Sequence, residues 1–227
     1  MTIAASSMIH RVADALQDLT AIRWPTAELV RYLNDGVRET MIHRPDAANA
    51  TVSLTLVAGA RQALGATHAK LIDVLCNTAS KTAVRAASRE ILDAQVPGWR
   101  AIAGVLDAKH FMYDVREPKV FEVYPPATVS SSLEMVVSVY PTEIAEPIAA
   151  TIWSDVVGNF GLLDIFANAV QDYILYRSYN KDVEYAGDLP KAAAHYAAYA
   201  NALGIEIKAT VMVGPPSAGN RNVIKAG

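Results

Sequence analysis

Nucleophilic catalysis needs a serine, cysteine or lysine beside a base that a third group orients. The residues of this chain that come nearest to such a set are Cys76, His110 and Asp114. They fall in strand-like or undetermined stretches and form no recognisable motif, so Cys76 is expected to be a small buried hydrophobe rather than a nucleophile. The five histidines, His10, His43, His68, His110 and His195, lack the His-x-x-x-His spacing that puts two imidazoles on one helix face, and no metal is expected. The nearest approach to a phosphate cradle, Gly158-Asn159-Phe160-Gly161, has neither a following Lys-Ser/Thr nor a third glycine and reads as a loop before a helix. Asp164, Asp172, Asp182 and Glu184 alternate with Arg177 and Lys181 as an exposed, salt-bridged helix face would, not as an acid/base pair. The expectation is a chain with no catalytic residue, no cofactor and no metal.

A second pattern concerns recognition. Six of the ten tyrosines lie between Tyr173 and Tyr199. A tyrosine carries a large apolar ring and a polar tip, so such a cluster either seals the rim of a helical core or anchors a protein interface, and the sequence leaves both open. On the interface reading the contact residues are Tyr173, Tyr176, Arg177 and Tyr185, joined by Val211, Val213, Arg221, Val223 and Ile224 from the C-terminal segment.

The elements that must position these residues follow from periodicity. Met8, Ile9, Val12, Leu16 and Leu19 recur at helical steps with polar residues between them, and Ser6 or Ser7 can cap the start. A second helix is expected from Pro25, whose missing N–H suits a first helical position, through Leu29, Leu33, Val37 and Met41 to a stop at Pro45. The short connection makes a hairpin with Trp24 near its corner. From Thr51 the period becomes two, with Val52, Leu54 and Leu56 alternating with polar residues before a turn at Gly59. Further strands are expected at Leu71 to Cys76, His110 to Val115, Lys119 to Tyr124 and Leu133 to Val139, the middle pair forming a hairpin around Arg116-Glu117-Pro118. Ser88 to Ala94 reads as a short helix ended by Val96-Pro97-Gly98-Trp99.

Helical periodicity returns after Pro147. Leu162, Phe166, Ala169, Val170, Tyr173 and Ile174 mark what is expected to be the longest helix, broken by Gly187 and Pro190. Ala193, Tyr196, Ala197, Ala200 and Leu203 mark a last one, stopping at Gly204. The Gly/Pro-rich residues beyond cannot build a core and read as extended. The fold class expected is α+β, mainly α. Residues 1–48 and 147–204 supply two hairpins that close into a four-helix bundle, 49–146 form a small antiparallel β insert, and 205–227 form an extended tail.

Composition sets outer bounds. A chain of 227 residues can build one good core, and no internal linker divides it. Hydrophobic residues make up 52% and mean hydropathy is +0.18, yet no apolar run approaches the roughly 18 to 20 residues of a membrane span. The apolar surplus fits either a large subunit interface or simply alanine-rich helices. A single cysteine excludes an internal disulfide and fits a reducing compartment. Met1 to Ser7 lacks the features of a secretory leader, so the chain is expected in the cytoplasm where it is made. With 20 basic against 23 acidic residues, it lacks the positive surplus that grips a phosphate backbone.

The segments Asp172-Tyr173-Ile174-Leu175-Tyr176-Arg177, Lys181-Asp182-Val183-Glu184-Tyr185 and Ala194-His195-Tyr196 resemble the C-terminal helical signature of the head-to-tail adaptor (connector) proteins of short-tailed bacteriophages. Trp24-Pro25, Glu28-Leu29, Tyr32-Leu33-Asn34-Asp35-Gly36 and Arg44-Pro45-Asp46-Ala47 resemble that family's opening helices. Leu92-Asp93, Pro97-Gly98-Trp99 and Val123-Tyr124-Pro125-Pro126 resemble its centre, so the resemblance runs over roughly residues 8 to 204. It implies a structural protein of the virion neck, a dodecameric ring that joins the portal protein to the tail nozzle protein. The genome would pass through its channel without specific binding. The alternative is a small intracellular enzyme or ligand-binding protein with a pocket between bundle and sheet, near His110 and Tyr113.

Overall fold

The computed structural model describes residues 3–148, 152–181 and 188–213, the stretch 205–213 as backbone only. The chain divides into two compact units, one made of Met1–Arg44 with Glu143–Gly227 and the other of Pro45–Thr142.

The first unit is helical. Helix α1 (Ala5–Leu16) buries Ala5, Met8, Ile9, Val12, Ala13 and Leu16, one face at three- and four-residue steps. Neither serine caps it: Ala4 holds the cap position with no side-chain hydrogen bond. One of the unpaired first-turn N–H groups is met instead by backbone, Ala5 N–H donating to the Gly158 carbonyl at 3.0 Å. Gln17 ends the helix in the left-handed conformation, and Asp18 then gathers the N–H groups of Ile22, Arg23 and Trp24 on its carboxylate at 3.1, 2.8 and 2.9 Å. Helix α2 (Thr26–His43) starts after Pro25, which occupies the cap rather than the first helical position. Its buried Asn34 pins the returning chain, donating to the Ile144 carbonyl at 2.9 Å and accepting from its N–H at 3.0 Å.

The second unit is built on strands. These are β1 (Asn49–Thr55), β2 (Gly59–Ala63), β3 (His68–Asn77), β4 (Arg85–Ala86), β5 (His110–Tyr113), β6 (Val120–Ala127) and β7 (Ser132–Val139), with the short helix α3 (Arg89–Gln95) between β4 and β5. Three strands pair in the order β1-β7-β3 and four in the order β2-β6-β5-β4. Inward-facing residues of both sheets, including Leu71, Val74, Leu133, Met135 and Val137 from one and Phe111, Phe121 and Val123 from the other, meet in one apolar core. The reverse face of the second sheet is also covered, because Ala60 and Met112 pack with the fully buried Trp99 that follows α3.

The helical unit is completed by α4 (Ala167–Lys181), which packs against α1 and α2, and α5 (Asp188–Val213), which packs against α4. At 26 residues α5 is longer than α4 at 15, so the expected longest helix is not the one that follows Pro147. Gly204 does not stop α5. It does not take the left-handed backbone that a C-terminal glycine cap needs, and the helix continues to Val213.

The expected fold class is therefore corrected. Among the described residues there are five α-helices and seven strands in two sheets, and the strands have a core of their own rather than decorating a helical bundle. Nor is the β region wholly antiparallel, since β4 runs parallel to β5 with Arg85 beside His110. The physical reason is that two buried sheet faces enclose enough apolar area to stand as a layered unit. The extended tail expected at 205–227 is also corrected up to Val213, which is helical; the remainder lies outside the described residues.

Candidate functional site

The tyrosine-rich stretch forms a continuous seam between α4 and α5. Tyr173 packs edge-on against Tyr176 and Tyr199 at centroid distances of 5.9 and 5.2 Å, and Tyr176 and Tyr199 both meet Tyr196, at 5.0 and 6.3 Å. The seam is graded. Tyr173 and Tyr199 are buried, Tyr176 is half-buried and Tyr196 is exposed. Tyr199 shares a hydrogen bond with Thr40 at 3.3 Å, and burial pushes its hydroxyl up to about 12. Tyr173 lies over Gly36 of α2, where an added Cβ would stand 2.9 Å from its ring.

Charged groups flank the seam. Arg177 lies over the Tyr32 ring at 5.2 Å and 3.7 Å from Asp35, and Lys181 pairs with Glu28. His195 donates from Nδ1 to Asp172 at 2.9 Å while stacking on Tyr179 at 5.7 Å. These ion pairs join different helices. The salt-bridged face expected along one helix is instead a set of pairs in which Asp172, Arg177 and Lys181 each reach another helix. Of the remaining expected interface residues, Val211 and Val213 belong to the last turn of α5, and Tyr185, Arg221, Val223 and Ile224 lie outside the described residues, as do Asp182 and Glu184.

A second constellation occupies the β unit. Arg61 on β2 stands opposite Glu122 on β6, beside a bulge between Gly59 and Arg61. Glu122, only 13% exposed, accepts from Arg89 Nε at 2.7 Å and from Arg100 Nε at 2.9 Å. Arg100 also donates to Asp93 at 2.7 Å and lies over the Trp99 ring at 4.3 Å, while Trp99 Nε1 donates to the same Asp93 oxygen at 2.8 Å. Arg116 clasps Asp114 in a fork of 2.7 to 3.2 Å. The four arginines, with Asp114, Glu117, Val120 and Glu122, surround a cleft of about 360 Å³. The electrostatics follow from the pairing. Arg116 holds the Asp114 carboxyl down at about 2. Burial pushes the Glu122 carboxyl up, but the hydrogen bonds of Arg100 and the charges of Arg89 and Arg100 outweigh it and leave the group below its ordinary value.

The residues first considered for catalysis are dispersed. Cys76 on β3 is not the buried hydrophobe expected: it is half-exposed, with Sγ 3.6 Å from Glu134, a carboxylate that also takes Lys81 at 2.7 Å. His110 stacks on Tyr124 at 6.4 Å, and the Tyr113 hydroxyl donates to the Pro118 carbonyl at 3.2 Å. Asp164 accepts from Ile3 N–H. The loop containing Gly158 and Gly161 clamps the N-terminal segment through an Ala4–Asn159 bridge and Phe160 N–H to the Ile3 carbonyl at 2.9 Å. Among the described residues no group of three or more His, Cys, Asp or Glu side chains is placed to hold a metal ion, and no helix is long and apolar enough to cross a membrane.

The arginine cleft is the feature that sequence reasoning missed. Its residues come from β2, α3, the turn after α3, the β5–β6 hairpin and β6 itself, so no local spacing announces them. The Arg61–Glu122 opposition is a matter of sheet register alone.

A comparison with family models finds a match to "SU10 adaptor protein" over residues 3–219. No curated protein matches the chain.

Proposed function

The chain belongs to the SU10 adaptor protein family, a family of phage head-to-tail adaptors, and on that premise we propose that it assembles as a dodecameric ring between portal and tail nozzle and lines the channel for the genome. The match over residues 3–219 carries the reading, because it spans both units and is a match to structural, not enzymatic, proteins.

Physical features support the finer parts. Val157, Leu163 and Ile165 are exposed close together in the segment before α4, apolar surface of the kind that a neighbouring subunit or the portal would cover. The tyrosine seam surfaces at Tyr196, and Tyr176 and Arg177 beside it are half-buried, a graded edge suited to a rigid contact. An overall charge of −3 gives a wall that does not bind DNA by counterion release, so the genome slides rather than sticks. Tail residues Arg221, Val223 and Ile224 are proposed to serve the portal contact, together with Tyr185, Val211 and Val213. Electron microscopy of the chain mixed with its portal protein tests the assembly: dodecameric rings on one face of the portal are expected, and portal particles unchanged beside a free monomer would refute it.

A further inference from the structure

We propose that the free edge of β1 pairs, antiparallel, with β1 of a second copy of this chain, in the register that sets Val52 against the partner's Val52 across a two-fold axis. Such a pair closes on itself, so it is separate from the head-to-tail contacts of a ring and does not rest on that reading.

The edge follows from the ladder. β1 and β7 run antiparallel from Asn49 opposite Ser138 to Thr55 opposite Ser132 without a shift. Leu56 N–H donates to the Ser131 carbonyl at 2.9 Å and Val139 N–H to the Ala48 carbonyl at 2.8 Å, so the even-numbered residues of β1 are the ones that bond to β7. Asn49, Thr51, Ser53 and Thr55 turn their N–H and C=O groups the other way. All four are exposed, and no strand among the described residues lies beside them. The other sheet margins are protected. β3 carries Lys70, Asp73 and three register shifts, β2 carries Arg61 and a bulge, and β4 is only two residues long. β1 has no charge, no proline and no bulge over its seven residues, which leaves it open to a further strand.

The side chains select the occupant. Residues directly opposite each other in an antiparallel pair are in contact, so a strand that docks here must match β1 position by position. β1 read backwards about Val52 makes that match. Leu54 faces the partner's Ala50, large against small, and Val52 meets the partner's Val52. On the other face Thr51 meets the partner's Ser53 and Asn49 the partner's Thr55, with no charge set against a charge. In this register the odd-numbered residues become the hydrogen-bonded pairs, so every outward N–H and C=O finds a partner. Val52 and Leu54 are only partly buried where they pack on the core between the sheets, and a second β1 would cover their open sides. Seven residues give about 23 Å of paired strand. That is an interface of the small class, one that forms and dissociates with concentration.

The test is sedimentation velocity of the full chain from about 1 to 500 µM, the range in which a small interface assembles. A dimer that grows with concentration is expected. Thr51→Pro removes an outward N–H and leaves the β7 ladder its bonds, a place where a strand tolerates proline. It should weaken the dimer by about tenfold or more with the circular dichroism unchanged. Cross-linking reads the register without that variant. In a Cys76→Ser background, Val52→Cys sets two thiols face to face on the axis, and diamide should oxidise them to a covalent dimer. Thr51→Cys, which faces the partner's Ser53, should link several-fold less. A chain that stays monomeric up to about 500 µM overturns the proposal. So does a dimer indifferent to Thr51→Pro, or linkage of Thr51→Cys as efficient as that of Val52→Cys. Rings formed with the portal by a chain that fails these tests would sink the strand pair and spare the assembly reading.

Discussion

Gly36→Ala sets two magnitudes against each other. A glycine in a helix interior costs about 1 kcal/mol relative to alanine, so on an open surface the substitution stabilises. Here the new Cβ would stand 2.9 Å from Tyr173 Cδ1 and 3.1 Å from Val170 Cγ1, closer than side-chain carbons pack. Tyr173 cannot swing clear, because its ring is buried, flanked by Tyr176 and Tyr199, and its hydroxyl lies 3.4 Å from Arg177. Overpacking of this kind costs about 1 to 3 kcal/mol. The clash wins, and the net loss should be about 1 kcal/mol, a fall in Tm of roughly 2 to 4 °C for a chain of this size. Urea unfolding followed by circular dichroism at the helical band measures it. In a Tyr173→Leu background the obstruction is reduced and the same substitution should turn neutral or stabilising, a coupling of about 1 kcal/mol or more. If Gly36→Ala stabilises the wild-type chain by its full propensity gain, or if the two changes simply add, then α2 and α4 do not approach as described.

Two further substitutions address the loops that hold each unit together. Asp18→Ala removes the acceptor of three backbone N–H groups between α1 and α2 and should cost about 1 to 2 kcal/mol at neutral pH. Burial acts to raise the Asp18 carboxyl, but the hydrogen bonds from Trp24, Ile22 and Arg23 outweigh it and hold the group below its ordinary value. Its contribution is thus complete above the unfolded carboxyl's range, near 4, and fades as pH falls through the lower folded value. The gap in urea midpoint between wild type and variant should close in acid, and a gap of constant size down to pH about 2 would exclude the mechanism. Asn77→Ala acts on the β unit. The Asn77 side chain, 1% exposed, donates to the Ala108 carbonyl at 2.8 Å and accepts from its N–H at 2.9 Å. Leaving both groups buried and unpaired should cost roughly 2 to 5 kcal/mol, and Ala108 should lose hydrogen-exchange protection; unchanged protection would argue against the clamp.

Local period was legible wherever one face of an element is buried. The alternation through Val52 and Leu54, and through Leu133, Met135 and Val137, corresponds to β1 and β7, whose inner residues line the shared core. The stripe through Leu29, Leu33 and Val37 corresponds to α2. Partnership was not legible, and that is where the fold class went astray. The strand β2, Gly59-Ala60-Arg61-Gln62-Ala63, shows no clear apolar alternation because its buried positions are the small Ala60 and the polar Gln62. That amide is satisfied inside the fold: it donates to the Val57 and Gly59 carbonyls at 2.8 and 2.9 Å and accepts from Val57 N–H at 2.8 Å. A buried glutamine that replaces turn hydrogen bonds looks, in the sequence, like a loop residue. With β2 and the two-residue β4 unseen, the second sheet had no edges, and the middle of the chain looked too small to hold a core.

The same limit explains why the tyrosine seam was found and the arginine cleft was not. Tyr173, Tyr176, Tyr196 and Tyr199 sit on two consecutive helices at helical spacing, so their grouping is written in the local period. The cleft depends instead on which strand residue faces which. β2 meets β6 with Arg61 against Glu122 and Gln62 against Phe121. A slip of one residue would exchange the two faces, sending Glu122 into the apolar core and Phe121 toward the guanidiniums. Phe121 and Val123 are fixed inward by burial against the other sheet, and this forces Glu122 outward between Arg89 and Arg100. The packing of the core thus determines the chemistry of the opposite face.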